Sequence, residues 1–386
     1  MASIPSSQPY FSPAEVQRVL AEIEDVLASG KLTQGPHVKE FEAQFAALTG
    51  SKHAVAVSNG TTALEAVLSF YQLNGDEVIV PTNTFMASAN AVIFSGGKPV
   101  FADIDPGSLC VGLEQVKQQV SERTRGIIVV HIGGLICPEI DSIREFARER
   151  GFFLIEDAAH AHGAEWGARK AGTLSDAATF SFYPTKPMTT AEGGMITTDR
   201  DDIAAFVRTF RTHGVPEGKK VHHAPGRNFR LSEIASILGL SQLRDLPAAL
   251  EARRKVATRY TAEFRQLPNV SLITPPPDSS PSFYKYAIVL PTRERRDAVA
   301  EALKQRHGID TGTLYWPPCH LQPVVQERPD LYCVRAPLSH AEDVLARVLC
   351  VPMHARLDTA TVDRVVESVK TEIQRTAVDR LPALAV

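Results

Sequence analysis

The chain has 386 residues, which is enough for two or three domains at about 150 residues each. Its net charge of −3, with 22% charged residues, gives no basic field, so we expect neither nucleic acid nor an anionic membrane as a partner. The five cysteines are scattered and include no Cys-x-x-Cys pair, so we expect neither a disulfide framework nor a zinc site, and no other metal centre. This cysteine pattern is typical of a protein from a reducing cytoplasm.

The first 50 residues carry no signal-peptide pattern but show two helix patterns. Residues 12–15, Ser-Pro-Ala-Glu, are typical of a capping box with proline at the first helical position, and apolar residues recur at helical spacing from Val16 to Leu27. We expect this helix to end at Gly30 and a second helix to end at Gly50.

Short apolar strands alternate with helical or mixed segments from residue 53 onward. This alternation predicts a mostly parallel sheet covered on both faces, in which ligands bind beyond the carboxyl ends of the strands. The longest apolar run, Gly126–Cys137, is too short to span a bilayer, since about 18 residues are needed, so we expect a soluble cytoplasmic protein. The predicted strands are His53–Val57, Glu77–Val80, Pro99–Ala102, Gly126–Val130, Phe153–Ile155, Ala178–Phe182 and Met195–Thr198.

The last third of the chain predicts a smaller α/β domain. A long helix is expected from Pro247 to Leu267, followed by a break at the three prolines 275–277. We place the domain boundary near residue 246, giving a large domain at 1–245 and a small one at 246–386. The elements predicted beyond the break are strands Phe283–Leu290, Ile309–Leu314 and Val348–Val351, and helices Arg293–His307 and Thr359–Gln374.

The stretch Ser181–Thr197 places one lysine, Lys186, in a short loop between two predicted strands. A lysine confined there can lose hydration, so its pKa falls and the neutral amine can form a Schiff base with an aldehyde cofactor. The alternative is a solvated lysine between two strands, which is the usual place for a lysine. Lys186 is the candidate catalytic residue.

Polar residues follow several other predicted strands. Residues 58–62, Ser-Asn-Gly-Thr-Thr, open a helix, and a helix N-terminus can bind phosphate, although such residues also cap helices for structural reasons alone. Asp157 ends a buried strand, where a carboxylate needs a partner such as a protonated pyridine nitrogen, an arginine or a helix N-terminus. His160 and His162 are equally compatible with satisfied structural histidines, and Phe85 with either ring stacking or the core.

The combination and order of these motifs resemble the DegT/DnrJ/StrS family of pyridoxal-phosphate-dependent sugar aminotransferases. The resemblance runs from about Gly30 to about Val369, at compatible distances along the chain. It implies the PLP-dependent transferase fold (fold type I), with a large, mostly parallel seven-stranded sheet domain and a smaller C-terminal α/β domain. The motifs are Ser-Asn-Gly-Thr-Thr-Ala-Leu from residue 58, Thr-Phe-Met-Ala-Ser-Ala-Asn from 84, Glu-Asp-Ala-Ala-His-Ala-His-Gly-Ala from 156, Ser-Phe-Tyr-Pro-Thr-Lys from 181 with Glu-Gly-Gly from 192, and Gly-Arg-Asn-Phe-Arg-Leu-Ser-Glu from 226.

The resemblance also implies roles for individual residues. Lys186 would form the internal aldimine with pyridoxal 5'-phosphate (PLP) and later carry the proton, and Asp157 would keep the pyridine nitrogen protonated. His160 would face the phenolic oxygen of the cofactor. The remaining cofactor-binding residues would be Gly60, Thr61 and Ser181 at the phosphate, Phe85 stacked on the ring, and Asn228 contributed by the neighbouring subunit of a homodimer with shared active sites.

Two positions depart from the family pattern. Glutamine is usual where this chain has His160, and histidine occurs in branches that act on carbocyclic substrates. The family commonly has Leu-Tyr-Gly where this chain has Ile132-Gly133-Gly134, so a tyrosine near the site is absent. Both departures bear on the substrate and neither affects Lys186 or Asp157.

The predicted reaction transfers an amino group from L-glutamate or L-glutamine to a keto sugar, most simply a nucleotide-linked 3- or 4-keto-6-deoxy sugar. One alternative is a carbocyclic ketone of the inosose type, or an aromatising enzyme of the aminodehydroquinate type. The dehydratase branch has histidine at the lysine position, which disfavours it, and a non-enzymatic PLP-binding sensor is a further alternative. We expect the substrate near Tyr315, Trp316 and His320.

Overall fold

The computed structural model describes residues 3–378, in which helices and strands alternate through most of the chain. The helices are α1 (Pro13–Ser29), α2 (Pro36–Thr49), α3 (Gly60–Phe70), α4 (Met86–Phe94), α5 (Leu113–Lys117), α6 (Ile140–Arg150), α7 (Asp201–Phe210), α8 (Glu233–Phe264), α9 (Arg293–His307), α10 (Pro323–Glu327), α11 (Ser339–Arg347) and α12 (Thr359–Val378), with 3₁₀ helices at Ile132–Gly134 and Cys319–Leu321. The strands are β1 (His53–Val57), β2 (Glu77–Pro81), β3 (Lys98–Ala102), β4 (Thr124–Val130), β5 (Phe153–Asp157), β6 (Glu165–Trp166), β7 (Arg169–Lys170), β8 (Ala177–Ser181), β9 (Gly194–Thr198), β10 (Ser271–Leu272), β11 (Ser279–Ser280), β12 (Tyr286–Val289) and β13 (Val348–Val351).

The main sheet has seven strands in the order β1-β9-β8-β5-β4-β2-β3. Its strands pair in parallel from β8 through β5, β4 and β2 to β3, whereas β9 runs antiparallel to both β8 and β1. Most positions of these strands are buried, because helices cover both faces and leave no solvent side for an alternating pattern. The mostly parallel seven-stranded sheet is therefore confirmed, and every predicted strand of it lies within two residues of its observed bounds.

A second, three-stranded antiparallel sheet of β10, β12 and β13 has its own hydrophobic core. Tyr260 and Phe264 from the end of α8 pack there against Tyr286, with ring centroids 5.2 and 6.3 Å away. A short third sheet joins β11, β6 and β7. Within residues 3–378 no helix combines the length and the apolar character that a membrane span requires.

The long helix α8 differs from the expectation. It begins at Glu233 and continues through Pro247 to Phe264, a length of 32 residues, so the predicted start at Pro247 is wrong. A proline inside a helix costs about 3 kcal/mol, but Leu246 and Leu250 on either side are buried in the main core and offset that cost. The boundary that we place near residue 246 falls inside this helix and stays a prediction.

The predicted strand Ile309–Leu314 is also wrong. The segment forms only two isolated bridges, one between Ile309 and Ile4 and one between Gly312 and Cys350 of β13. Two single contacts with different neighbours do not build a ladder, because each end of the segment pairs with a different part of the chain.

The first two helices begin in different ways. The Ser12 side chain caps α1 by accepting a hydrogen bond from the Glu15 backbone at 3.2 Å, as predicted. The Glu15 carboxylate does not return to Ser12 but accepts hydrogen bonds from Arg18 and Arg244, so only half of the capping box forms.

Helix α2 follows Gly35, which has no side chain to serve as a cap. The carboxylate of Glu233, the first residue of α8, accepts hydrogen bonds there from the backbone amides of Gly35, His37 and Val38 at 2.9 to 3.0 Å. A Cβ atom on Gly35 would lie 2.6 Å from a Glu233 oxygen, so glycine at that position permits the close approach.

Candidate active site

Four loops meet at one edge of the main sheet. They follow the carboxyl ends of β1, β2, β5 and β8, which point the same way because β9 runs antiparallel to both of its neighbours. These strand ends and loops carry four of the residues predicted to bind the cofactor, namely Gly60, Phe85, Asp157 and Lys186. The carboxyl edge of a parallel sheet is the usual position of a ligand site in such folds.

Lys186 lies half-buried in the loop after β8. Burial lowers its pKa to about 8, an effect that the nearby Lys285 reinforces and that the Asp157 carboxylate opposes. About half of such an amine is neutral at pH 8, whereas a solvated lysine there is almost entirely charged. The Lys186 Nζ atom lies 4.6 Å from the centre of the Tyr284 ring. Lys186 is therefore not the solvated surface lysine of the alternative interpretation.

Asp157 is the last residue of β5 and is buried. Its Oδ2 atom accepts a hydrogen bond of 2.7 Å from the Ser88 hydroxyl, which lies 2.7 Å from the Thr84 hydroxyl. Its Oδ1 atom accepts a weaker bond of 3.2 Å from the Ala159 backbone. Within residues 3–378 no arginine forms an ion pair with this carboxylate, so its remaining lone pairs can accept a ligand N–H group.

The neighbouring acid, Glu156, has a different role. Its side chain accepts hydrogen bonds from His131 Nε2 at 2.8 Å and from the backbone amides of Gly172 and Leu174 at 2.8 and 2.7 Å. Burial alone would raise the pKa of Glu156, but these bonds outweigh it, and the pKa lies below its usual value. Glu156 is therefore satisfied by the protein, whereas Asp157 retains capacity for a ligand.

His160 is buried and neutral. Burial first, and then the charge of Lys186, lower its pKa well below the usual value. Its Nδ1 atom accepts a bond of 3.3 Å from the Gly133 backbone, which leaves Nε2 as the protonated nitrogen, donating to the Tyr315 hydroxyl at 3.0 Å. The imidazole also stacks on Tyr284 with ring centroids 4.2 Å apart.

His162, by contrast, is a core residue. Its ring packs against Phe180 and Phe182, with centroids 5.4 and 5.6 Å away, and burial lowers its pKa to about 3. His162 is therefore a core residue, and the role of His160 at the cofactor stays a prediction.

The N-terminus of α3 forms a small cradle. Asn59 caps it through a bond of 2.9 Å from the Thr62 backbone, and Thr62 returns a bond to the Asn59 backbone, so the first amides of the helix are left for another acceptor. A Cβ atom on Gly60 would lie 2.8 Å from the Cβ atom of Ser181. Glycine is thus required for the helix to approach the end of β8, and a helix N-terminus with free amides is able to bind an anion.

Phe85 and Tyr315 are two aromatic residues of the candidate site. Phe85 is 64% exposed, so the core alternative does not hold, and its ring centroid lies 6.2 Å from that of Tyr315. Trp316 is partly buried, with the Arg293 guanidinium 5.3 Å from its ring centre.

The other two predicted residues have different surroundings. His320 is buried between the Thr82 hydroxyl, at 2.6 Å, and the Glu342 carboxylate, at 3.1 Å, so both ring nitrogens are bound by the protein. Asn228 is exposed on a segment whose backbone pairs with Thr212.

Size does not identify this site. Two larger clefts, of about 490 and 570 Å³, lie elsewhere, one beside Arg211 and Glu217 and the other beside Arg148 and Asp176. A smaller cavity of about 170 Å³ borders Lys186. Chemistry marks the candidate site instead, because the buried acid, the lysine of lowered pKa and the N-terminus of α3 lie at the same sheet edge.

Three contributing residues were missed from sequence. Ser88 lies one helical turn after Thr84, and that spacing was the available signal. Tyr284 and Lys285 come from the chain just before β12, and nothing local marks them, since their position depends on how the second sheet docks.

Comparison with known proteins agrees with this geometry. Residues 13–370 match the DegT/DnrJ/EryC1/StrS aminotransferase family. GDP-perosamine synthase from Caulobacter vibrioides is 38% identical over 339 residues, covering 86% of this chain and 89% of that protein.

Two solved structures are similar over nearly the whole chain. Helicobacter pylori PseC, an aminotransferase involved in the biosynthesis of pseudoaminic acid, is 29% identical, with a TM-score of 0.89 over 97% of this chain and 100% of that one. DesV from S. venezuelae, in complex with a ketimine intermediate, is 32% identical, with a TM-score of 0.88 over 96% of this chain and 99% of that one. The predicted fold type I architecture is confirmed, and the chain belongs to the DegT/DnrJ/EryC1/StrS aminotransferase family.

Proposed function

We propose that this aminotransferase uses pyridoxal 5'-phosphate to move an amino group from L-glutamate or L-glutamine to a nucleotide-linked 3- or 4-keto-6-deoxy sugar. The observation that carries the proposal is the pairing of Lys186, with its lowered pKa, and Asp157, which keeps free acceptor capacity at the same sheet edge. The sugar follows from relatives named as a perosamine synthase and a pseudoaminic acid enzyme.

The residues present fit the cofactor. The amides of Gly60 and Thr61, with the Ser181 hydroxyl, would bind its phosphate, and Asp157 would accept a hydrogen bond from its protonated ring nitrogen. Phe85 would stack on the ring. When bound, the cofactor supplies the electron sink for the carbanion formed at the donor carbon.

The protein supplies binding and proton transfer. Lys186, displaced by the donor amine, is a base whose pKa of about 8 suits removal of the Cα proton near neutral pH and its later return. His160 stays neutral, and its ring is held by Gly133, Tyr315 and Tyr284. The keto acid made from the donor leaves before the second substrate binds, so the kinetics should be ping-pong.

The donor half-reaction tests this proposal. Adding L-glutamate, and separately L-glutamine, to the purified holoenzyme without any ketone should bleach the yellow cofactor absorption, because the amino group moves to the cofactor. The visible spectrum measures this change directly, and a later addition of keto sugar should restore the yellow form.

The choice of second substrate separates the remaining alternatives. Recovery of the yellow form with an inosose, but with no nucleotide-linked keto sugar, would replace the sugar by a carbocyclic ketone, which the presence of His160 makes the second candidate. A yellow protein indifferent to both donors would contradict the proposed reaction.

We also propose that the active sites are shared between two subunits of a homodimer. Asn228 is exposed, and Phe85 and Tyr183 near the site are 64% and 49% exposed, so a second copy could cover these residues. In that arrangement Asn228 reaches the phosphate site of the partner.

Mixed dimers should reveal this sharing. Asn228→Ala should weaken cofactor retention, and mixing it equally with Lys186→Ala should restore about a quarter of wild-type activity, because half of the dimers carry one intact site. Differently tagged mixed dimers, purified from the mixture, should then show about half of wild-type activity, because each carries one intact site of two. Activity no greater than the mean of the two parent variants would show that each site lies within one chain.

A further inference from the structure

A recess lies beside Gly133, the residue whose backbone amide binds His160. It has a volume of about 50 Å³ and is lined by Leu109, Ile132, Gly133, Phe283, Lys285 and Leu314, among others. Gly133, whose amide binds the His160 ring, contributes no side chain, and a Cβ atom on it would meet only the Leu314 side chain, at 3.5 Å, and the Lys285 carbonyl, at 3.9 Å. A larger residue at this position would fill the recess.

Lys285 is the charged group of this recess. It is half-buried, and its backbone amide bonds to the Gly133 carbonyl at 3.3 Å. Its Nζ atom lies 5.3 Å from the centre of the Tyr284 ring, the same ring that has Lys186 Nζ at 4.6 Å. The two ammonium groups therefore flank one aromatic ring, and the charge of Lys285 lowers the pKa of Lys186.

The surroundings do not neutralise this charge. Burial lowers the pKa of Lys285, Cys350 opposes this effect and Arg253 adds to it, and within residues 3–378 no carboxylate forms an ion pair with Lys285. The second buried cation nearby, Arg253, donates to two backbone carbonyls, those of Phe283 and Met353, at 3.0 and 3.1 Å. Carbonyl oxygens carry no net charge to offset the guanidinium.

An excess of buried positive charge is costly unless an anion compensates it. The two buried acids of the site act on other groups, since Glu156 is bound to His131 and the charge of Asp157 acts on Lys186. The compensating anion is therefore expected to arrive with a ligand. The cofactor phosphate would bind to different residues, Gly60 and Ser181. The anion that compensates Lys285 would therefore come from the substrate.

We propose that Lys285 is a specificity-determining residue that binds an anionic group of a substrate in the recess beside His160. This inference rests on the proposed function. Two anions have the required chemistry, namely a carboxylate of the amino donor and a phosphate of the nucleotide-linked acceptor.

The test compares Lys285→Met, which removes the charge at similar length, with Lys285→Arg, which keeps it. Lys255→Met, on the exposed face of α8, is the matched control. Each holoenzyme is titrated with L-glutamate while bleaching is followed, and with guanosine, uridine and thymidine diphosphates by calorimetry. Cofactor content and thermal unfolding are measured on the same samples.

We expect Lys285→Met to weaken one of these ligands at least about tenfold, with Lys285→Arg within about threefold of wild type and cofactor content unchanged. A loss confined to L-glutamate identifies the carboxylate, and a loss confined to a nucleoside diphosphate identifies the phosphate. Unchanged affinity for all of these ligands, an equal loss in the arginine variant, or loss of cofactor would overturn the proposal. A wild-type protein inert to both donors would instead overturn the proposed function, and this inference with it.

Discussion

Replacing Lys186 with alanine is expected to lower kcat by about 10⁴-fold or more and to abolish covalent attachment of the cofactor. In the proposed reaction one atom, Nζ, forms the Schiff base and carries the proton, and general acid–base catalysis alone is worth about 10² to 10⁴ in rate. Borohydride reduction followed by intact-mass measurement should add the mass of the cofactor to the wild-type chain but not to the variant. Single-turnover kinetics with L-glutamate would give the rate.

Two further variants make this test specific. Lys186→Arg keeps a positive charge but cannot form the Schiff base, so it should be as inactive as the alanine variant. Lys255→Ala, on the exposed surface of α8, should behave like the wild type. Substantial amino transfer by Lys186→Ala, with stoichiometric cofactor, would remove Lys186 from the chemistry.

Replacing Asp157 with asparagine is expected to leave the cofactor bound but to lower kcat by about 10² to 10⁴-fold. The substitution is nearly isosteric and keeps an oxygen for the Ser88 hydroxyl, so binding through the phosphate cradle survives. It removes the negative charge that would hold the pyridine nitrogen protonated, and with it the electron sink for the donor carbanion. The rate of bleaching by L-glutamate, normalised to cofactor content, is the measurement.

A graded series would support this role. Ser88→Ala removes one hydrogen bond from the carboxylate and should lower the rate by about 10- to 100-fold, in line with about 1.5 to 3 kcal/mol for a bond to a charged group. Asp363→Asn, an exposed carboxylate paired with Arg259, should leave the bleaching rate unchanged. An Asp157→Asn protein as fast as wild type would show that the ring nitrogen is held by another group.

The parts of the fold that follow from local chemistry were predictable. The strands of the main sheet are buried on both faces, so each appears as a nearly continuous apolar run, as in Ile127–Val130. The wrong predictions concern segments whose structure depends on contacts with distant parts of the chain. Pro247 stays inside α8 because Leu246 and Leu250 pack on the main core, and Ile309 pairs with residue 4, which no local pattern could show.

The same division applies to the site. Lys186, Asp157 and the cradle at Gly60 lie at strand ends, where both residue type and position carry information. Their assignment to a cofactor came from the resemblance between motifs rather than from any one of them. Tyr284 and Lys285 reach the site from the second sheet, about 100 residues after Lys186, so only the assembled structure places them.

The cap on α2 has a consequence for how the chain folds. Because the Glu233 carboxylate that satisfies the first amides of α2 lies 195 to 198 residues further along the chain, the first turn of that helix lacks its partner until a very long loop has closed. Contacts of such separation form slowly. The N-terminal turn of α2 should therefore gain amide protection late in refolding, together with the start of α8 and after the local βα units of the sheet.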